Sequence, residues 1–219
     1  MVAHGVGAGD SYGGYRTRLV EQLQARGIKD LAVLQAVSRV PRHLFVPEAV
    51  RHRAYEDSAL PLGAGQTISQ PWVQARSLEL LRLTGTERVL EVGAGSGYQT
   101  ALIASIASAV FAIERVSALA YGAREALAAA GFQNVSVMVG DGTLGWRSLA
   151  PFDAIVVAAA SPKVPEPLQE QLAPKGRLVI PLERGEGQQL VVYERDGDTV
   201  RETTVADVRF VPLIGQHGY

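Results

Sequence analysis

The run Arg88-Val-Leu-Glu-Val-Gly-Ala-Gly-Ser-Gly-Tyr98 limits what this chain can fold into more than any other stretch. Residues 89–92 read as a short buried β-strand. Gly93, Gly95 and Gly97 then let the backbone turn tightly and approach a ligand without interference from a Cβ. A helical pattern follows, so strand, glycine turn and helix start together make a nucleotide-type ligand site. A dinucleotide fingerprint wants Gly or Ala at position 98, where this chain has Tyr. The spacing therefore disfavours NAD, although a glycine motif is a weak signal on its own.

The chain on either side fits an α/β layout. Strands are expected at 88–92, 109–113, 135–139, 153–158 and 177–182, with helical segments between most of them. Continuous apolar strands alternating with helices imply a doubly wound, mostly parallel sheet covered on both faces. Ser117 is expected to cap a helix rich in Ala and Leu, with Gly131 as its stop. Upstream, residues 15–26 are amphipathic and end at Gly27, Asp30 can cap a second helix, and Pro71 opens a third that runs to about Leu83. Residues 59–70 read as a loop. The end of the chain differs, with strands expected at 189–194, 199–204 and 208–213 that add antiparallel strands at one edge. The expected division is a loose tail over 1–14 and a single domain over 15–219. Within that domain, 15–70 form a helical substrate segment, 71–185 the ligand-binding core and 186–219 the terminal strands.

Bulk numbers narrow the function. With 219 residues the chain can bury a substantial core. Its net charge is −1, from 21 basic and 22 acidic residues, and no Lys/Arg run offers a hold on nucleic acid. There is no cysteine, so thiolate metal sites and cysteine nucleophiles are excluded. Four scattered histidines form no ligand pair, and no metal is expected. Apolar stretches are strand-sized, well short of the ~20 residues a membrane helix needs. The start lacks the features of a signal peptide, so a cytoplasmic location is expected.

Two acidic residues fall where such a sheet presents its ligand, beyond the carboxyl ends of the strands. The second core strand delivers Glu114, whose carboxylate can accept both hydroxyl protons of a ribose. The bland alternative is a solvated Glu paired with Arg115. The third ends in Gly140-Asp-Gly142, where Asp141 can accept from an adenine amino group and Gly142 lets the backbone pass close to the ring; an ordinary Asp–Gly turn is the competing reading. Gly-x-Gly-x-Gly after an acidic residue, here Glu91, resembles the S-adenosylmethionine loop of Rossmann-like methyltransferases. Ala94 and Arg115 join the expected ligand contacts.

Before the third helix lies Gly65-Gln-Thr-Ile-Ser-Gln-Pro71. Thr67 and Ser69 put two hydroxyls on one side of Ile68. On local pattern alone, Ser69 or Gln70 capping the following helix is the better reading. No Gly-x-Ser-x-Gly elbow surrounds Ser69, so a hydrolase nucleophile is unsupported.

Taken together, Gln66-Thr-Ile-Ser-Gln-Pro71 and the glycine run resemble the protein-L-isoaspartate (D-aspartate) O-methyltransferase family. The resemblance continues through Val40-Pro-Arg-His-Leu-Phe-Val-Pro47, Gly140-Asp-Gly142, Ala150-Pro-Phe-Asp-Ala-Ile155 and Val208-Arg-Phe-Val-Pro-Leu213, in the family's order. It spans about residues 15–215. It implies a Rossmann-like S-adenosylmethionine fold and a repair enzyme, which methylates the α-carboxylate of isoaspartyl residues in damaged proteins and peptides and leaves S-adenosylhomocysteine. The ester then cyclises to a succinimide, and hydrolysis returns some normal aspartate. Ser69 would take the catalytic role with Thr67. Thr67, Ile68, Ser69 and Val211 would contact substrate, and Ile68 would also reach the cofactor. Gly93, Gly95, Gly97, Glu114, Asp141 and Gly142 would hold the cofactor. The resemblance also favours a monomer. Thr143 departs from it, standing where members often carry an aromatic residue.

The chemistry agrees with this inventory. An α-carboxyl group ordinarily titrates at about pH 3.5 and is already ionised at neutral pH, so methyl transfer to it needs no general base. The protein must align the two partners and strip water from them, and hydroxyl donors can aim a carboxylate without neutralising it. A carboxyl methyltransferase on the same scaffold acting on another peptide or small acid is the alternative. A nucleotide-binding module or an NAD oxidoreductase is a more distant one.

Overall fold

A computed structural model describes residues 12–219. The expected tail lies mostly outside the described residues, and its boundary shifts, because helix α1 already begins at Gly13 (Gly13–Ala25). Its end is set by Gly27 at φ +92°, with Ile28 N–H bonded to the Leu23 carbonyl at 3.1 Å. Such a left-handed turn satisfies the last carbonyls of the helix and comes easily only to glycine. Helix α2 (Leu31–Arg39) starts at Asp30, whose Oδ1 accepts from Ala32 N–H at 2.8 Å and Val33 N–H at 3.2 Å. The segment over 42–53 then continues as two short 3₁₀ turns.

Residues 59–70 depart from the expected loop. Strands β1 (Leu60–Gly63) and β2 (Gln66–Ile68) form an antiparallel hairpin, with Leu60 opposite Ile68 and Pro61 opposite Thr67. Its Gly- and Pro-rich composition masks the alternation: Leu60 and Ile68 are buried while Pro61 and Thr67 between them are exposed. Helix α3 (Pro71–Leu81) follows.

The seven-stranded sheet runs in the order β5-β4-β3-β6-β7-β8-β9. Its members are β3 (Arg88–Val92), β4 (Ala109–Glu114), β5 (Val135–Val139), β6 (Phe152–Val157), β7 (Leu172–Arg184), β8 (Gly187–Asp196) and β9 (Thr199–Val208). The first five are parallel, and β7, β8 and β9 pair antiparallel. The chain is therefore the expected doubly wound, mostly parallel α/β sheet with antiparallel strands at one edge. β3 is central: β4 lies on one side and β6 on the other, so the strand order reverses at its carboxyl end, where such sheets open a ligand crevice. Apolar clusters cover both faces. One joins α1, α2, α3 and the helix after the glycine turn, α4 (Tyr98–Ala104), and the other gathers Phe152, Ile155, Leu178 and Ile180 with Leu168 of α6 (Glu166–Glu170).

Two further expectations are corrected. Residues 208–213 are not a separate strand: β9 ends at Val208, and beyond it Pro212 makes only an isolated bridge to Ala160. Proline has no N–H with which to continue a ladder. Ser117 is not a cap but the first residue of α5 (Ser117–Ala129); Val116 holds the cap position, and its N–H goes to Glu114 Oε1 at 2.8 Å. Gly131 does stop that helix, at φ +84°.

Candidate active site

The crevice is built from the tips of three strands. After β3, Gly93 N–H and Ala94 N–H both reach the Ile113 carbonyl, at 2.8 and 3.2 Å, which ties the glycine turn to β4. The three glycines of the turn have φ of +90°, +53° and +83°. At Gly97 a Cβ would also meet Ala123 Cβ at 3.2 Å and Leu127 at 3.3 Å, so this glycine lets α5 pack close. Glu114, at the tip of β4, is 7% exposed. Its Oε2 accepts the Gly95 N–H at 2.9 Å while Oε1 takes Val116. Each oxygen retains a lone pair.

A cavity of about 300 Å³ lies against these tips. Of the residues singled out by sequence, Thr67, Ile68, Ser69, Gly93, Ala94, Gly95, Glu114, Arg115, Gly142 and Val211 all border it. Gly142 could carry no side chain there, since its Cβ would fall 2.4 Å from Val92 Cγ1. A wall made of bare backbone beside a buried carboxylate fits a ligand with a flat ring and a ribose. Gly97 and Asp141 are not among the bordering residues. Asp141 Oδ1 accepts from Thr143 N–H at 2.9 Å and Thr143 Oγ1 at 2.7 Å, and Oδ2 from Gln216 N–H at 2.8 Å. Partial burial opposes ionisation of this carboxyl, but those donors outweigh it and hold its pKa below the usual value. Thr143 is fully buried and its Oγ1 accepts from His217 N–H at 3.1 Å, so threonine here anchors the chain's last residues.

The hydroxyl segment closes the opposite wall. The capping expected of Ser69 or Gln70 is absent, because Asp57 caps α3 from outside, its Oδ1 accepting Trp72 N–H at 2.8 Å. Gln70 sits at the cap position, but its side chain donates to the Asp57 carbonyl at 2.9 Å. Thr67, Ser69, Ala158 and Val211 border both the inner cavity and an outer groove walled by Asp57, Trp72, Arg209 and Phe210. These four residues separate two adjoining spaces.

Two buried ionisable groups were not among the site residues expected from sequence. Glu91 is fully buried, accepting from Gln99 Nε2 at 3.1 Å and Thr100 Oγ1 at 2.5 Å. Burial lifts its pKa to about 8, with the nearby Glu114 charge adding to the rise, so the carboxyl is neutral at pH 7. Gln99 in turn borders the cavity. Arg42 is also fully buried, donating to the Ser69 carbonyl at 3.0 Å and to Gln74 Oε1 at 2.9 Å. Burial lowers its pKa to about 10, which leaves it a cation. The acidic position of the glycine motif was a signal for Glu91; Arg42, the first residue of a 3₁₀ turn, had none beyond its place in the motif over residues 40–47.

A family model described as protein-L-isoaspartate(D-aspartate) O-methyltransferase matches residues 15–218. A protein-L-isoaspartate O-methyltransferase of Methanoregula boonei is 53% identical over 93% of this chain and 94% of its own length. One from Roseiflexus sp. (strain RS-1) is 52% identical with the same coverage of both chains. Among solved structures, a protein-L-isoaspartate O-methyltransferase superposes with TM-score 0.85 at 27% identity, covering 93% of this chain and 67% of that one. A Plasmodium falciparum structure of that enzyme type, in complex with S-adenosyl-L-homocysteine, superposes with TM-score 0.80 at 28% identity, covering 91% and 98%.

Proposed function

The chain belongs to the protein-L-isoaspartate(D-aspartate) O-methyltransferase family, and from that premise we propose how its cavity and groove divide the reaction between them. The enzyme methylates isoaspartyl residues in protein repair, with S-adenosylmethionine as donor. Bound in the inner cavity, S-adenosylmethionine supplies a methyl group activated on a sulfonium. The observation that carries the assignment is the shared wall: Thr67, Ser69, Ala158 and Val211 border both the cavity at the glycine turn and the groove outside it. A donor within and an acceptor without would meet across these residues.

Each residue's part follows from its chemistry. The turn over Gly93, Ala94 and Gly95 offers backbone to the donor at close range. Glu114 accepts the ribose hydroxyls with the lone pairs that the two backbone N–H groups leave free. Gly142 passes under the adenine, and Ile68 and Arg115 complete the wall. Asp141 supports this surface by holding Gln216 and Thr143, and an adenine amine would share its carboxylate with those donors. Ser69 and Thr67 donate hydrogen bonds to the substrate carboxylate and aim one of its oxygens at the methyl group. Val211 lines the outer groove, and we assign it contact with the substrate main chain. The acceptor is ionised at neutral pH, so the residues need supply alignment and exclusion of water, not a base. This route calls for no metal, and among the described residues no three His, Asp or Glu side chains gather to hold one.

The test is methyl incorporation into two synthetic peptides that differ only in Asp versus isoAsp. Labelling of the isoAsp peptide alone is expected. Equal labelling of both, or of neither, would favour a carboxyl methyltransferase with another substrate.

A further inference from the structure

Arg42 is a buried cation that no carboxylate pairs with among the described residues. Asp57, which lies close enough to act on its charge, is engaged by Arg26 and by Trp72 N–H. The two terminal nitrogens of Arg42 go to uncharged acceptors, the Ser69 carbonyl and Gln74 Oε1, and among the described residues its Nε has no hydrogen-bond partner. Its guanidinium carbon stands 4.5 Å from the ring centre of Tyr98, the first residue of α4 after the glycine turn. The Tyr98 hydroxyl is likewise buried, with the Arg42 cation acting on it. Burying a charge without a counter-charge is unfavourable, and a core hydrocarbon would fill this space at less cost.

The contacts indicate what that cost secures. Ser69 and Gln74 both border the inner cavity, and Tyr98 begins the helix that the glycine turn leads into. One side chain thus ties together the hydroxyl bend, α3 and the donor-side turn. The rigid guanidinium fork fixes the Ser69 peptide group from behind, which sets where the hydroxyl on its other side can point. Its positive charge, only partly offset by Asp57, also sits in a poorly screened interior near where an anionic acceptor must shed water.

We infer that Arg42 is a positioning residue for the acceptor: through the Ser69 carbonyl it fixes the hydroxyl bend, and through its charge it favours entry of the substrate carboxylate. This rests on the acceptor role assigned to the bend.

The experiment compares Arg42→Lys and Arg42→Met with the parent enzyme, measuring kcat and KM for an isoaspartyl peptide, affinity for S-adenosylhomocysteine by calorimetry, and folding by thermal melt. The methionine variant loses both charge and fork, so KM should rise about tenfold and kcat fall about tenfold. The lysine variant keeps the charge but not the fork, so KM should return to within about threefold of the parent while kcat stays about tenfold low. Affinity for S-adenosylhomocysteine should stay within about threefold in both. Should only one variant fold, it must show its own pattern. An unchanged KM for methionine, indistinguishable variants, parallel loss of S-adenosylhomocysteine binding, or failure of both to fold would overturn the inference. Parent turnover of the Asp and isoAsp peptides is measured alongside, so failure of the acceptor reading appears in the parent and failure of this one only in the variants.

Discussion

The Glu114 carboxylate accepts the Gly95 N–H at 2.9 Å, so the tip of β4 braces the glycine turn delivered by β3. The same side chain borders the cavity that the turn encloses. Bracing and ligand contact are therefore not separable at this residue. In the proposed reading it would both hold the turn in the shape the donor needs and meet the donor with the lone pairs left over.

Glu114→Ala should accordingly cost more than one ligand contact. Hydrogen bonds to a charged group contribute roughly 1.5–3 kcal/mol each, so loss of two predicts about a 100-fold or greater drop in affinity for S-adenosylhomocysteine. Glu114→Gln keeps the shape and one acceptor and should fall only about tenfold. Calorimetry decides between these outcomes. Parent-like affinity in the alanine variant would strip Glu114 of the ribose role.

Ser69→Ala should separate turnover from donor binding. The hydroxyl borders the space shared by cavity and groove, while the backbone carbonyl, which the substitution retains, keeps its bond to Arg42. One hydrogen bond to an anion accounts for about a 10- to 100-fold loss of kcat/KM for an isoaspartyl peptide, with S-adenosylhomocysteine affinity within about twofold. Equal loss of both quantities, or of neither, would remove Ser69 from the reaction.

These residues differ in how far sequence alone revealed them. β4 and β5 begin where their apolar runs begin and β3 one residue earlier, and Glu114 and Gly142 could be placed because a parallel sheet delivers its strand ends to one edge. The hairpin over residues 60–68 stayed hidden because Pro61, Gly63 and Gly65 break the alternation that marks a strand. The capping of α3 was unreadable for another reason: Asp57 comes from 15 residues upstream of Trp72, while capping rules are local. Arg42 illustrates the same limit, since its partners lie 27 and 32 residues away and only the folded core brings them together. The cavity residues at the strand tips follow from strand periodicity, whereas Arg42 and Asp57, which brace the hydroxyl bend and α3, depend on tertiary packing.

Gly97 tests the packing side of that distinction. It does not border the inner cavity, yet its φ of +83° strains any side chain and a Cβ 3.2 Å from Ala123 would force α5 to give way by a few tenths of an ångström. Gly97→Ala should lower stability by about 2 kcal/mol, from left-handed backbone strain and the crowding of α5. For a chain this long that corresponds to a fall in Tm of roughly 4–8 °C. Donor affinity in the surviving folded protein should drop less than in Glu114→Ala. A thermal melt equal to the parent's would show that α5 yields freely.

Glu91 offers a prediction in pH. Unfolded, its carboxyl titrates near 4.5; in the fold, burial moves it to about 8. Between those values the native protein holds a proton that the unfolded chain has released. Stability must then fall as pH rises through this window, by at most about 1.4 kcal/mol per pH unit. Below it the contribution is fully in place, and above it the loss is complete. Glu91→Gln keeps an acceptor for Thr100 but has no proton to lose, so its stability should be flatter with pH. Urea unfolding of both proteins at about pH 5 and about pH 8 isolates this one group, because every other titration cancels in the difference. The parent should lose more stability than the variant across that interval, and the variant should gain relative to the parent at the higher pH. Parallel profiles would mean that Glu91 is ionised in the fold. Its bonds to Thr100 and Gln99 would then be those of a carboxylate stabilised well beyond what burial permits.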